Sequence, residues 1–196
     1  MLKRCFDVLS SLAVLFFLWP FFLLAALLIK LEDAGPVFYL QERVGINGTL
    51  FKIFKFRTMV IDADKKGLKI TVGMRDPRIT RIGYFLRRFK LDELPQLLNI
   101  LKGDMSVVGP RPEVKRYVDI YNQQQKEVLS VRPGLTDYAS LEYIDENKIL
   151  AKAVDPEREY IQVIMPAKLA LNLRYIEEKS FWLDMKLIFK TFAKII

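Results

Sequence analysis

The chain has 196 residues, room for one domain with a core large enough to fold without staples. It is 52% hydrophobic yet 28% charged, so the two kinds must be segregated, as at a membrane surface, and a formal charge of +8 favours an anionic partner: acidic lipid, nucleic acid or a phosphorylated small molecule. A single cysteine and no histidine exclude an internal disulfide and histidine-based nucleophile systems, argue against zinc, haem or iron–sulfur, and leave carboxylates as the leading candidates for chemistry.

The first element is an uncharged run from Val8 to Ile29, VLSSLAVLFFLWPFFLLAALLI, against the roughly 20 apolar residues that a helix needs to cross a bilayer. Lys3 and Arg4 precede it and no small-residue cleavage site follows, so a retained anchor is expected over a removed signal peptide, with a buried core helix as the plain alternative. Pro20 predicts a kink near its middle. Basic residues lie on both sides, so a straight span would place one basic end on the disfavoured face. A re-entrant helix–break–helix over residues 1–33 resolves the conflict, with Ser10 or Ser11 available for freed carbonyls; a kinked transmembrane helix is the alternative.

Two strands are predicted next, in VFYLQERVG and TLFKIFKFRTM, around an Ile46-Asn47-Gly48 turn. The second delivers Lys55, Arg57 and Thr58 close together, either a phosphate site or a solvated edge. Asp62 to Arg75 reads as a polar surface loop. In RITRIGYFLRRFKL, the spacing of Ile79, Ile82, Leu86 and Phe89 predicts a basic amphipathic helix, either packed on the core or lying at a membrane interface. The C-terminal FWLDMKLIFKTFAKII carries Lys186, Lys190 and Lys194 in one row that can face headgroups, with Phe181 and Trp182 suited to the boundary layer.

Between these lies KLDELPQLLNILKGDMSVVGPRP, from Lys90 to Pro112, with adjacent acids behind a run of arginines. Pro95 suits the first turn of a new helix, which puts Asp92 and Glu93 at a break where both can address one site. The plain alternative is an N-cap with an acidic first turn. Pro110 and Pro112 fix the backbone around Arg111 so that its guanidinium can grip phosphate or a planar base. Gly103-Asp104 and Arg132-Pro133-Gly134 add charged turns, so cations from several loops are expected to converge on the acid pair, the arrangement that phosphoryl transfer needs.

These pieces together, KRCFD, Pro20, GPVFYLQERVG, FKIFKFRTM, DPRITRIGYFLRRFKLDELPQLLNILKGDMSVVGPRP, VRPGLT and SFWLDMK, resemble the monotopic phosphoglycosyl transferases, or bacterial sugar transferases, over most of the chain. The resemblance implies transfer of a sugar phosphate from a UDP-sugar to polyprenol phosphate (undecaprenyl phosphate), releasing UMP at the start of surface-glycan or glycoprotein-glycan assembly. It further implies a re-entrant anchor in the bacterial inner membrane, a catalytic domain over residues 34–196 on the cytoplasmic face, and a Mg²⁺ cofactor. The expected fold is α+β and mostly helical: a re-entrant membrane helix, a small β-hairpin and interfacial amphipathic helices around a compact catalytic domain.

Carried over by position, Asp92 matches a nucleophile that forms a covalent phospho-sugar intermediate and Glu93 its partner, the two also being the expected metal ligands. Arg87 matches a phosphate-binding arginine and Lys55 an active-site lysine; Arg111, flanked by Pro110 and Pro112, matches a contributor to nucleotide binding, and Arg132 another essential arginine. Arg57 and Thr58 are expected beside them as substrate-binding residues. A carboxylate attacks phosphorus without a base because it is already ionised, while arginines and Mg²⁺ offset charge on the diphosphate.

The chain departs from the family at Trp19, where a serine usually precedes the proline, at Asp137-Tyr138-Ala139-Ser140 in place of Gly-Trp-Ala-Gln, along Leu141 to Pro166, and at Asn172 in place of an aspartate. UDP-sugar, polyprenol phosphate and membrane lipids are the expected partners; homodimerisation stays open, and nucleic acid is not expected, since no standard motif accompanies the charge. The competing reading is a catalytically silent basic module that docks on membranes.

Overall fold

The computed structural model of the chain describes residues 1–63 and 76–195; most of the predicted Asp62–Arg75 loop lies outside the described residues. The fold is α+β and mostly helical, as the sequence predicts.

Helix α1 (Leu2–Glu32) has 31 residues, about 46 Å at the usual rise. It is the one helix among the described residues long and apolar enough to cross a membrane, and only 11% of its most apolar stretch is buried, which excludes an ordinary core helix. Pro20 lies inside one helix rather than at a coil break. Val14 and Leu15 on one side of it and Phe21 and Phe22 on the other pack on the same body, and that burial offsets the missing hydrogen bond. Neither predicted serine serves Pro20: the Ser10 hydroxyl donates to the Asp7 carbonyl at 3.3 Å, and the Ser11 hydroxyl is buried without a partner.

Strands β1 (Phe38–Val44) and β2 (Leu50–Phe56) form the predicted antiparallel hairpin, Val44 opposite Leu50. Its turn places Asn47 at φ 54° and Gly48 at φ 78°, the left-handed region those two residues tolerate best. Helix α2 (Arg81–Arg88) starts after the predicted point: the Thr80 hydroxyl caps it by accepting from the Gly83 N–H, while Ile79 pairs instead with Met59 in an isolated bridge. A 3₁₀ turn (Leu91–Gln96) leads into α3 (Leu97–Lys102).

Strand β3 (Ser106–Val108) and, after α4 (Lys115–Val118), strand β4 (Gly134–Thr136) form a short parallel pair. Gly134 is required there, since a Cβ would sit 2.1 Å from the Gly109 nitrogen. Helices α5 (Tyr138–Glu142), α6 (Glu146–Leu150) and α7 (Pro156–Glu159), a π turn (Tyr160–Ile164), α8 (Met165–Glu178) and α9 (Phe181–Ile195) complete the chain. The largest core cluster joins Tyr117, Val118, Leu150, Ile164 and Leu169 from α4, α6, the π turn and α8.

The two ends of the chain meet. Lys3 Nζ donates to the Val108 carbonyl at 2.8 Å and to Asp184 of α9 at 2.5 Å, and Asp184 also accepts from the Tyr175 hydroxyl. Arg4 donates to the Ile100 and Leu101 carbonyls at the end of α3, and the buried Asp7 accepts from the Ser106 hydroxyl and the Val107 N–H. The far end of α1 is tied as well, at the surface, where the Glu32 carboxylate accepts from the Arg81 and Ile82 N–H groups at the start of α2. The outer faces of α2 and α9 leave Phe85, Trp182, Phe189 and Phe192 exposed, alongside Phe16, Phe17 and Trp19 of α1. Lys194 leaves the expected basic row, donating to the Leu141 carbonyl.

Candidate active site

The acid pair lies where the chain changes direction. Lys90 takes a left-handed backbone (φ 57°), and the 3₁₀ turn that follows carries Asp92 and Glu93 toward β2. Asn99, fully buried, pins this segment by accepting from the Phe54 N–H at 2.9 Å and donating to the Lys52 carbonyl at 2.8 Å, so its amide completes the open edge of β2. Helix α2 approaches from the other side, and Gly83 permits that approach: a Cβ would lie 2.1 Å from the Thr58 carbonyl oxygen. Closeness there lets Arg87 Nε donate to the Thr58 hydroxyl at 2.7 Å.

Glu93 does not cap a helix; it is clamped. Its Oε1 accepts from Lys55 Nζ at 3.0 Å, and the Arg111 guanidinium grips both oxygens, Nη1 meeting Oε2 at 3.0 Å. Burial alone would raise the Glu93 pKa, but Arg111 and Lys55 outweigh it and hold the carboxyl well below the usual range. The reciprocal attraction of Glu93 raises the Arg111 pKa further. Lys55 goes the other way: its burial exceeds the pull of Glu93 and lowers its pKa.

Asp92 differs in every respect. It is 8% exposed, and no hydrogen bond or ion pair holds it among the described residues. Burial, then the adjacent Glu93 charge, push its pKa up, against the opposing fields of Lys55, Arg87 and Lys90. Its charge is thus less well stabilised than that of an exposed aspartate, and Lys55, Arg87 and Lys90 are the cations that favour it. Arg87, whose terminal guanidinium nitrogens are unspent among the described residues, has a pKa lowered by burial and partly restored by Asp92.

The structure thus brings Lys55, Thr58, Arg87, Asp92, Glu93 and Arg111 together, with the buried Pro110 and Pro112 bracketing the last. It sets two candidates apart. Arg132 Nε donates to the Gly103 carbonyl beyond the end of α3, and Arg57 is tied to Asp33 after α1, where its Nη1 is buried without a partner.

Several neighbours carried no signal of their own in the sequence. Arg43 of β1 donates to Glu113 at 3.0 Å and to the Pro112 carbonyl at 3.4 Å, and the Tyr160 hydroxyl donates to the same Glu113. Adjacency of Glu113 to Pro112 was the available hint. Asn172 is buried in α8 with its Oδ1 unpartnered.

No cluster of three or more metal-ligating side chains occurs among the described residues. With both Glu93 oxygens engaged by cations, Asp92 is the carboxylate left for a hard cation. One carboxylate suits Mg²⁺, which usually takes one or two together with substrate phosphates and water.

A membrane-associated α+β body with a buried, cation-ringed acid pair is the class that fold and site define. The chain belongs to the bacterial sugar transferase family, whose model matches residues 1–196. It is similar to the UDP-N-acetylgalactosamine-undecaprenyl-phosphate N-acetylgalactosaminephosphotransferase of Aeromonas hydrophila, with 36% identity covering 100% of this chain and 44% of that protein. The UDP-glucose:undecaprenyl-phosphate glucose-1-phosphate transferase of Escherichia coli (strain K12) is 37% identical, covering 99% and 40%. The exopolysaccharide production protein PSS of Rhizobium leguminosarum bv. phaseoli is 42% identical, covering 97% and 92%. The chain therefore spans less than half of the first two relatives and nearly all of the third.

Proposed function

We propose that this chain is a phosphoglycosyl transferase that moves a sugar 1-phosphate from a UDP-sugar to undecaprenyl phosphate or a similar polyprenol phosphate, in the assembly of a bacterial polysaccharide. The observation that carries the reading is the contrast inside the acid pair: Glu93 is locked by Lys55 and Arg111, whereas Asp92 is buried beside Arg87 and Lys55 with no partner of its own. A structural acid is paired; an attacking one is left free.

In the proposed first step an Asp92 oxygen attacks the phosphorus that bears the sugar. The bond to the bridging oxygen breaks, and UMP leaves with its electron pair. Arg87 and Lys55 stabilise charge on the equatorial phosphoryl oxygens, and Arg111 turns from Glu93 toward the nucleotide diphosphate. In the second step an oxygen of the lipid phosphate attacks the same phosphorus, and Asp92 departs as a carboxylate. Mg²⁺, held by Asp92 and the substrate phosphates, would neutralise diphosphate charge when bound.

Membrane placement follows from the ties of α1. A helix that crossed the bilayer would carry one end to the opposite face, yet Lys3, Arg4 and Asp7 at one end and Glu32 at the other bind the same body. Both ends therefore belong on one side, which supports a re-entrant anchor over residues 1–33; a catalytic body over 34–196 on the cytoplasmic face of the inner membrane is proposed with it and does not rest on these ties. The exposed aromatic rings of α2 and α9 then rest at the same interface.

The test is UMP release by the detergent-solubilised chain with Mg²⁺, polyprenol phosphate and a panel of UDP-sugars. Donor-dependent release is expected, with sugar-phosphate label retained on wild type before lipid is added and none on Asp92→Asn. Label persisting on the Asn variant would relocate the nucleophile. Vesicle binding without release of UMP from any donor would favour the docking module.

A further inference from the structure

Pro110 and Pro112 have no N–H, so in Pro110-Arg111-Pro112 the Arg111 peptide holds the one backbone donor. The loop is otherwise fastened along β4: the Gly109 N–H donates to the Thr136 carbonyl at 3.0 Å, and the Gly134 N–H to the Pro110 carbonyl at 2.9 Å. Where the next backbone contact would fall, a side chain takes over. Asp137 is fully buried, and its Oδ2 accepts from the Arg111 N–H at 3.2 Å, while Oδ1 accepts from the Ser140 N–H at 2.6 Å and so caps α5. One carboxylate thus fixes the peptide from which the Arg111 guanidinium extends to Glu93. Its negative charge adds to the field on that guanidinium.

From this geometry we infer that Asp137 is a positioning residue for nucleotide recognition: it holds the Arg111 peptide in register with β4, so that the guanidinium can exchange Glu93 for the diphosphate of a uridine nucleotide without the loop moving. The inference rests on the reading of Arg111 as a nucleotide-binding residue. The Gly134 N–H holds the carbonyl side of this peptide and Asp137 its N–H side, so without an acceptor at position 137 a buried donor is left unpaired and the root of the Arg111 side chain loses one of its two restraints.

Asp137→Asn separates the two jobs of the carboxylate. Asparagine caps helices as well as aspartate does, so Oδ1 can stay on the Ser140 N–H, but the second position becomes an NH₂ facing the Arg111 N–H, donor against donor. The experiment measures equilibrium binding of UDP to the full-length, detergent-solubilised chain, with melting temperature recorded in parallel, for wild type, Asp137→Asn, Arg111→Ala and the double variant. Asp137→Asn is expected to weaken UDP binding by about threefold to tenfold and to lower the melting temperature by a few degrees; the binding loss should vanish once Arg111 is alanine, whereas the melting loss should persist there. Wild-type affinity in Asp137→Asn, or an undiminished binding loss on the Arg111→Ala background, would overturn the positioning role alone. A wild-type chain that binds no UDP would instead overturn the proposed function and this inference with it.

Discussion

Asp92→Asn should inactivate the protein and make it more stable. The substitution keeps the shape of the side chain and removes a charge that the fold disfavours. Because burial and the adjacent Glu93 raise its pKa above the ordinary 3.8, Asp92 binds its proton more tightly in the folded chain than in the unfolded one. The protonated form therefore favours the fold at low pH, and that support is lost as pH rises through the folded pKa; at neutral pH the ionised carboxylate works against folding. A buried polar or charged group without a partner costs roughly 1–3 kcal/mol. Lys55, Arg87 and Lys90 offset part of this, so a gain near the lower end, about 1 kcal/mol, is expected, or about 2–4 °C in melting temperature for a chain of this length. Thermal unfolding in detergent at pH 7 and in mild acid measures it, since the gap between variant and wild type should narrow as Asp92 takes up its proton. An Asn variant that melts below wild type at pH 7 would refute the argument, for it would mean that Asp92 is a structural acid.

The clamp predicts the opposite sign. Glu93→Gln leaves Lys55 and Arg111 facing each other without a carboxylate; breaking a buried pair costs about 3–5 kcal/mol, and with the Arg111 side chain 34% exposed we expect about 2–3 kcal/mol, seen as a drop of roughly 4–12 °C. The depressed Glu93 pKa makes this stabilisation available above the ordinary 4.5 and lost as pH falls through the folded value, so the deficit should shrink in acid. Asp7→Ala strands the Ser106 hydroxyl and the Val107 N–H at the start of α1, and should lower stability by about 2–3 kcal/mol in the same melting assay. Replacing Phe189 and Phe192, 73% and 60% exposed on α9, with serine should leave melting unchanged and weaken association with anionic vesicles by roughly tenfold per ring in a flotation assay.

Local signals predicted local structure well. The hairpin was legible because Asn47-Gly48 can occupy left-handed backbone between two β-rich runs. The break before Pro95 was legible because a proline restrains its predecessor, and the 3₁₀ turn around Asp92 and Glu93 is how the chain accommodates it. The start of α2 was misplaced because Ile79 fits both the helical spacing and a bridge to Met59, and the Thr80 cap settles which is used. Long-range partners were not legible at all. Asp137 lies 26 residues from Arg111, and nothing in its neighbourhood marks it as the acceptor for a peptide between two prolines. Arg132 shared the charged-turn pattern of Arg111, but its nearest acceptor is the Gly103 carbonyl.

The ends of α1 carry the same lesson further, because their charges suggest a topology signal and the structure employs them as fasteners. Arg4 occupies carbonyls at the close of α3, and Asp7 holds the start of β3, the strand that leads into Gly109 and Arg111. At the other end Glu32 occupies the first N–H groups of α2, whose last turn bears Arg87, and Asp33 holds Arg57, the residue before Thr58. Each cation of the site therefore hangs from an element or loop that α1 grips directly or at one remove. Charges committed to buried partners cannot also report on which face of the bilayer they lie, so here a count of flanking Lys and Arg is weaker evidence than the contacts themselves. The apolar helix is part of the frame that spaces Arg87 and Arg111 across the acid pair, and under the proposed function the membrane that receives its exposed face would hold that frame at the surface where the lipid phosphate arrives.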